Sequence, residues 1–291
     1  MASWNKNGMV GWARDLVWWK ASGTLYLSVP FTWSMPEAKR MAAAHHGLVV
    51  AGGPAVKLQP PTWAETPDEC PYDVLSMHNP MATFTTRGCP NRCGFCAVPR
   101  IEGDFRELQT WKPAPVVCDN NLMAASKAHI KRVVKSLRPF ESVDFNQGLD
   151  ARLFTSWHAG ELAKLKNPMI RFAFDNVNSE GKVADAIATA RAAGLRNFHV
   201  YVLIGFRDTP DNAQYRLEKV REWGIRPNPM RYQPLDSEIR DEYVAPGWSA
   251  GLMNDMVRYY SKLRWLEHIP FVEYHQSGYM PLIDDIIPDN A

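Results

Sequence analysis

The sequence has no uninterrupted apolar run of about 18 residues, so it predicts no membrane-spanning helix. The stretch up to Lys20 also lacks the continuous apolar core that marks a secretory signal peptide. Cysteine is scarce, with five in 291 residues, and an odd number does not suit a disulfide framework. We therefore expect a cytoplasmic protein whose cysteines bind a metal or take part in redox chemistry.

The net charge is also small, at +2. Such a balance neither requires nor excludes a nucleic-acid partner, because electrostatic capture needs a basic surface and not merely a basic sum. The sequence contains no internal repeat and no low-complexity segment. Hydrophobic residues make up 46% of the chain, which predicts a packed core in one large domain, with or without a smaller appendage.

Between Met81 and Pro234, strand-like apolar runs alternate with helical patterns. The six runs lie at residues 83–86, 116–118, 143–145, 170–174, 199–204 and 230–233. Three of the segments between them have apolar residues at helical spacing, at 130–137, 183–190 and 210–223, whereas 105–111 predicts only a short helix. This alternation predicts an α/β fold with a parallel sheet, either open or curled into a barrel.

Polar residues and glycines follow these runs, where ligands bind in parallel α/β folds. They are the cysteines after the first run, Asp119, Asn120 and Asn121 after the second, Gln147, Asp150 and Arg152 after the third, Asp175 after the fourth, and Gly205 after the fifth. Several of them have simpler alternative roles. Arg152 can bind a ligand carboxylate or form a surface salt bridge, and Asp175 can bind a ribose hydroxyl or cap the next helix.

The strongest motif is Cys89-x3-Cys93-x2-Cys96. Three thiolates on one tight loop can bind three corners of an iron–sulfur cluster and leave the fourth iron open to a small molecule. A zinc site is the alternative, but it needs four ligands, and neither Cys70 nor Cys118 has a partner at metal-binding spacing. Buried cysteines that bind nothing are a further alternative.

The stretch from Thr86 through Cys96, with Phe95 before the third cysteine, resembles the signature of the radical S-adenosylmethionine superfamily. It is most similar to the branch that contains methylthiotransferases and cobalamin-dependent members. The resemblance implies a partial (β/α)6 barrel, similar to a TIM barrel, over residues 81–236. It also implies a [4Fe-4S] cluster that reductively cleaves bound S-adenosylmethionine, giving methionine and a 5′-deoxyadenosyl radical that removes hydrogen from a substrate.

The resemblance also assigns contacts to the cofactor. Phe95 lies against the adenine, and residues 119–121 stand where the family has Gly-Gly-Glu near the methionine amino group. Tyr201-x-Leu203-x-Gly205-x2-Asp208 is similar to the family's fifth-strand motif, in which the glycine lets backbone approach the adenine. The alternative is that Gly205 only ends a strand. Both motifs depart from the family pattern. The family further implies a small reductant protein of the flavodoxin or ferredoxin type as a partner.

Two further segments flank the expected barrel. Residues 1–80 form an α/β segment and proline-rich linker, with strands at 25–29 and 48–51, a helix at 35–44 and a loop at 59–80. This segment resembles part of a cobalamin-binding domain, but the cobalt-binding Asp-x-His-x2-Gly motif is absent and we predict no cobalamin. Residues 237–291 predict a helical extension packed on the barrel, with a helix at 248–266 and a last strand at 271–274.

The substrate is the least determined feature. A basic row on one predicted helix suits either nucleic-acid phosphates or a solvated face: Lys127, Lys131, Arg132, Lys135 and Arg138. Tryptophans 4, 12, 18 and 19 suit base stacking or core packing equally. These features favour a nucleoside or nucleic-acid base only weakly. An iron–sulfur electron carrier or regulator without radical catalysis, and a zinc-stabilised nucleic-acid-binding module, are the alternative functions.

Overall fold

The structure is a computed structural model that describes residues 16–261 and 268–277. Trp4, Trp12 and the end of the predicted helix at 248–266 lie outside the described residues. The described chain forms a small N-terminal sheet, a six-stranded parallel sheet with helices, and a C-terminal helical extension. It is therefore a mixed α/β protein, as the sequence predicted.

The N-terminal unit is a three-stranded sheet with an apolar core of its own. Strand β1 (Val17–Ala21) pairs antiparallel with β2 (Thr24–Ser28), and helix α1 (Met35–Ala43) leads to β3 (Val49–Gly52), which pairs parallel with β2. Helix α2 (Pro54–Leu58) follows. The sequence predicted β2, α1 and β3 but missed β1. The buried residues of this core include Leu25, Leu27, Val29, Ala38, Ala51 and Val56.

The sequence predicted a loop over the proline-rich stretch at 59–80, but part of this stretch is helical. Helix α3 (Val74–His78) lies within it, and Asp73 caps this helix by accepting a hydrogen bond from the Ser76 amide at 3.2 Å. The His78 imidazole lies 2.8 Å from the Ser28 hydroxyl. This contact ties the linker to the end of β2.

The predicted short helix at 105–111 is also wrong. After β4 (Ala82–Thr83), strand β5 (Thr86–Arg87) pairs antiparallel with β6 (Arg106–Glu107), and the one helical turn between them is α4 (Val98–Ile101). The Leu108 amide continues this ladder by donating to the Thr85 carbonyl at 2.9 Å. Backbone pairing with the strand before the cysteines therefore takes precedence over local helix formation.

The central sheet contains six strands in sequence order, with every neighbouring pair parallel. It starts at β4 and continues through β7 (Val116–Val117), β8 (Val143–Phe145), β9 (Pro168–Ala173), β10 (Asn197–Ile204) and β11 (Pro227–Arg231). These strands confirm the six apolar runs, with bounds that shift by a few residues. All six carboxyl ends therefore lie at one edge of the sheet.

Four helices connect the later strands: α5 (Lys127–Leu137), α6 (Ser156–Leu162), α7 (Glu180–Ala192) and α8 (Pro210–Glu222). The sequence predicted α5, α7 and α8 and missed α6. The Thr209 hydroxyl caps α8 by accepting from the Asn212 amide at 3.3 Å. Burying the apolar stripes of these helices against the sheet provides the main core.

The two faces of the sheet differ in chemistry. Alternate residues such as Phe145, Phe172 and Val202 are buried in the main core. The residues between them include a charged pair, in which Arg171 donates to Asp144 at 2.6 and 2.7 Å. Since successive side chains on a strand point to opposite faces, one face is apolar and the other carries polar groups.

The C-terminal extension contains α9 (Ala250–Ser261) and α10 (Phe271–Ser277). The predicted strand at 271–274 is wrong, because Phe271 and Tyr274 are both 3% exposed whereas Val272 is 50% exposed. Burial at a spacing of three residues is the helical pattern, and the Tyr274 amide donates to the Pro270 carbonyl. None of the helices described here is both long and apolar enough to cross a membrane.

Candidate functional site

The cysteine motif forms a loop that follows β5, beside the carboxyl end of β4. Cys89, Cys93 and Cys96 are free and partly buried. The other two cysteines differ from them: Cys70 is exposed, and Cys118 is 1% exposed in the core. Burial raises the pKa of Cys118 to about 12, which makes it an inert thiol.

Asp119 holds the backbone that enters the cysteine loop. Its Oδ1 accepts from the amides of Thr85 at 2.6 Å and Thr86 at 2.9 Å, and its Oδ2 accepts from the Thr85 hydroxyl. The residue is 3% exposed, and burial raises its pKa although these hydrogen bonds oppose the rise. Asp119 therefore supports the loop through contacts inside the protein, and its predicted cofactor contact stays a prediction.

A second carboxylate, Glu102, holds the next two residues of the loop. It accepts from Arg87 at 2.7 Å and from the Gly88 amide at 3.1 Å. Gly88 has φ +72°, and a Cβ there would lie 2.3 Å from the carbonyl oxygen of Asp104. The glycine before the first motif cysteine is therefore required by the turn itself.

Asp150 connects three separate segments of the chain. It accepts from Asn91 in the cysteine loop at 2.9 Å, from Asn121 after β7 at 3.1 Å, and from Arg152 at 2.7 and 2.8 Å. Burial would raise the pKa of Asp150, but the hydrogen bonds from Arg152 and Asn91 outweigh it and lower the pKa. A charged, nearly buried carboxylate therefore lies beside the cysteine loop.

Asn121, which follows β7, contacts a motif cysteine. Its Nδ2 lies 3.5 Å from the Cys89 sulfur, and the residue is 2% exposed. Its buried Oδ1 has no hydrogen-bond partner among the described residues, and the same holds for Asn120 Nδ2. Buried polar atoms are nearly always paired, so a water molecule or a ligand atom would satisfy these two groups.

Burial, a nearby cation and a nearby carboxylate all affect the pKa values of the thiols in the cysteine loop. Burial raises the pKa of the Cys93 thiol, and the Arg152 guanidinium opposes part of that rise. Burial also raises the pKa of the Cys96 thiol, to which the negative charge of Asp175 contributes. Metal binding requires thiolates, so loading such a site releases protons.

Asp175 and Gly205 lie at the ends of β9 and β10, as predicted. Asp175 accepts from the Leu203 amide at 3.0 Å, and the Gly205 amide donates to Asp208 at 2.9 Å. Gly205 has φ +83°, and a Cβ there would lie 2.2 Å from Met253 Cε. The positive φ is what favours glycine here, because the Met253 methyl ends a flexible side chain that can move.

Four aromatic rings form a row across the same edge of the sheet. The distances between neighbouring ring centroids are 5.4 Å for Phe95 and Phe206, 4.8 Å for Phe206 and Tyr232, and 5.4 Å for Tyr232 and Tyr243. Arg207 lies over Phe206 with φ +51°. This row joins the cysteine loop to the ends of the last two strands, and it gives the site an aromatic side whose rings are tilted against one another.

The structure thus brings most of the predicted site residues to one edge, where Cys89, Cys93, Phe95, Asn121, Arg152 and Asp175 interact directly or through shared neighbours. Gln147 is exposed in the turn after β8. The sequence missed Asn91 and Glu102, which have no recognisable motif. In the part of the chain described, no three His, Cys, Asp or Glu side chains converge as ligands of one ion.

The remaining candidates lie outside this edge. Lys127, Lys131, Arg132, Lys135 and Arg138 are all exposed on α5. Trp18 is 53% exposed, whereas Trp19 stacks on Tyr26 at 5.2 Å. No known protein-family model matches the chain, and no curated protein matches it significantly.

Proposed function

We propose that this protein is a radical S-adenosylmethionine enzyme, in which Cys89, Cys93 and Cys96 hold a [4Fe-4S] cluster. One observation carries the proposal: the three cysteines share one partly buried loop at the carboxyl edge of a six-stranded parallel sheet. That edge is where parallel α/β folds bind ligands. The substrate is a molecule with an unreactive C–H bond, and we favour a nucleoside or nucleic-acid base.

The residues present fit such a cluster. Cysteine thiolates are its usual ligands, and each thiolate binds a different iron, so the sulfurs need not converge on one ion. A structural zinc ion would need that convergence and a fourth ligand. The orphaned Asn121 Oδ1 and Asn120 Nδ2 provide an acceptor and a donor beside the loop. They suit the polar end of a small molecule bound at the open iron.

We also propose that the sheet curves into a partial barrel. Its strands follow sequence order, without the reversal that characterises doubly wound sheets. The strand residues that alternate with the buried apolar set include the polar residues Asp144, Arg171, His199 and Tyr201. A concave polar face would accommodate a polar substrate below the cysteine loop.

When bound, the reduced cluster supplies the electron that cleaves S-adenosylmethionine into methionine and a 5′-deoxyadenosyl radical. The residues of this chain bind, orient and shield. Phe95 and the aromatic row would pack against the adenine. Arg152, which is 53% exposed, would pair with the methionine carboxylate, and Asp175 would pair with a ribose hydroxyl. The rings would exclude water from the reacting atoms.

The partners follow from the same proposal. An external reductant, such as a flavodoxin or ferredoxin, would reduce the cluster. Of the basic row on α5, Arg132 is partly engaged, because it donates to the Gln109 carbonyl and lies 5.0 Å from the Trp111 ring. The other members are exposed and would contact the phosphates of a nucleic-acid substrate.

The experiment is anaerobic reconstitution of the full chain with iron and sulfide. We expect about four irons per chain and an EPR signal after dithionite reduction that changes when S-adenosylmethionine is added. Cys89→Ala, Cys93→Ala and Cys96→Ala should each lose the signal. Cys70→Ser is the matched control and should keep it, because Cys70 is exposed outside the loop.

Two results would contradict the proposal. Colourless protein with one zinc per chain after anaerobic purification would favour the zinc module. A cluster whose signal does not respond to S-adenosylmethionine would favour an electron carrier, because the fourth iron would then be closed to the small molecule.

A further inference from the structure

The side-chain amide of Asn121 faces two acceptors, a cysteine sulfur and a carboxylate oxygen. Its Nδ2 lies 3.5 Å from Cys89 Sγ and 3.1 Å from Asp150 Oδ2. The two hydrogens of one amide group can serve both acceptors. Rotating the amide by half a turn would place Oδ1 against a carboxylate and a sulfur, so the orientation with Nδ2 towards both is the favourable one.

Asp150 fixes that amide and the loop at once. The carboxylate also accepts from Asn91, two residues after Cys89, at 2.9 Å. Arg152 holds the carboxylate from another side with two hydrogen bonds. The side chain of Asp150 is 8% exposed, so little water competes for these donors. The position of the Cys89 sulfur is therefore set by contacts outside the motif.

We propose that Asn121 and Asp150 form a clamp that tunes the cluster through Cys89, with Asn121 as the donor to the sulfur and Asp150 as the positioning residue. This inference rests on the proposed function. Hydrogen bonds to cluster sulfurs help set the reduction potential. A donor stabilises the reduced state, which carries more negative charge, and so makes reduction easier. The clamp would thus favour the electron transfer that the reaction needs.

The direct test is a redox titration followed by EPR on the reconstituted full chain. Asn121→Leu keeps a similar side-chain size and removes the donor. We expect its midpoint potential to be more negative than that of the wild type. Asn178→Leu is the control, because Asn178 is exposed beyond β9, and its midpoint should equal that of the wild type. Equal midpoints in all three proteins would overturn the proposal.

A second measurement uses the metal-free protein and does not need a cluster. In Asp150→Ala, the backbone amides of residues 88–97 should exchange hydrogen faster than in the wild type, because Asn91 loses its acceptor. Asp185→Ala, at an exposed position of α7, should leave this exchange unchanged. Unchanged exchange in Asp150→Ala would overturn the positioning role of Asp150. If Asn121→Leu takes up no cluster, this exchange measurement takes the place of the redox titration as the test.

The two proposals fail in different ways. A wild-type chain that takes up no iron–sulfur cluster contradicts the proposed function. A wild-type chain that takes up the cluster, with the same midpoint in Asn121→Leu, contradicts only the clamp.

Discussion

Two buried carboxylates at the carboxyl edge of the sheet have different partners and therefore different roles. Asp119 accepts only from backbone amides and a hydroxyl of one neighbouring segment, residues 85–86. Asp150 accepts from three side chains that come from three segments, one of them an arginine. The role of Asp119 thus depends on its acceptor atoms more than on its charge, whereas the charge of Asp150 offsets the positive charge of Arg152.

This difference predicts the response of Asp119 to substitution. In Asp119→Asn, Oδ1 can still accept both amides, and the Thr85 hydroxyl can rotate to accept from Nδ2. In Asp119→Ala, two buried amides lose their acceptor, at about 1–3 kcal/mol each. Urea unfolding of the metal-free chain at pH 7 should therefore show a clear loss for the alanine variant and little loss for the asparagine variant.

The free energy of unfolding should also depend on pH through Asp119. Because burial raises the pKa of Asp119, the folded carboxyl binds its proton more tightly than the unfolded one. Its contribution to stability is therefore largest in acid and falls as the pH rises through the folded pKa. Asp119→Asn should lack this contribution. Equal destabilisation of the two variants at neutral pH would contradict this account of Asp119, because it would show that the charge is needed.

Among individual residues, the sequence predicted a site at the three motif cysteines but not the side chains that hold their loop in place. Cys89, Cys93 and Cys96 lie within eight residues, so their spacing alone predicts a shared loop. The contacts of Asp150 join residues 91, 121 and 152, which meet only after three strands have paired. No local pattern encodes such a meeting.

Among the elements, α8 is tied to the sheet by one buried side chain. Arg216 is 1% exposed and donates to the carbonyls of Phe174 at 3.0 Å and Leu203 at 2.8 Å, at the ends of β9 and β10. It also pairs with Asp208 at 2.5 Å. These contacts fix the strand ends that carry Asp175 and Gly205. The helix thereby connects core packing to the geometry of the site.

Removing this arginine should be costly. Arg216→Met leaves Asp208 buried without its cation, which predicts a loss of about 3–5 kcal/mol in the free energy of unfolding. The double variant Arg216→Met/Asp208→Asn should be more stable than the single one, because the uncompensated charge is gone. Arg226→Met, at an exposed position, should change stability by less than about 0.5 kcal/mol. Urea unfolding measures all three, and a small loss in Arg216→Met would contradict this role.

The sequence predicted elements well where the pattern was long. Helices α5, α7 and α8 each show apolar positions at helical spacing over 11 to 13 residues. The two-residue strands β5 and β6 have no periodicity to detect, and their pairing is a tertiary contact. The sequence predicted a strand where α10 lies, because three apolar and aromatic positions, Phe271, Val272 and Tyr274, are too few to distinguish the two periods.

For the molecule as a whole, two apolar clusters lie on either side of the linker. The smaller one belongs to the N-terminal sheet, and the larger one joins the six-stranded sheet, its helices and the C-terminal extension. The sequence predicted the parallel sheet from the alternation of strands and helices. It left open whether that sheet is flat or curled, because curvature depends on how every strand packs against its neighbours.

We propose that three thiolates hold a cluster whose open iron binds S-adenosylmethionine. The most direct measurement is the yield of 5′-deoxyadenosine from anaerobically reconstituted, dithionite-reduced protein incubated with S-adenosylmethionine. We expect the wild type and Cys70→Ser to form this product and Cys89→Ala to form none. A fully loaded, reduced wild-type cluster that forms none would contradict it.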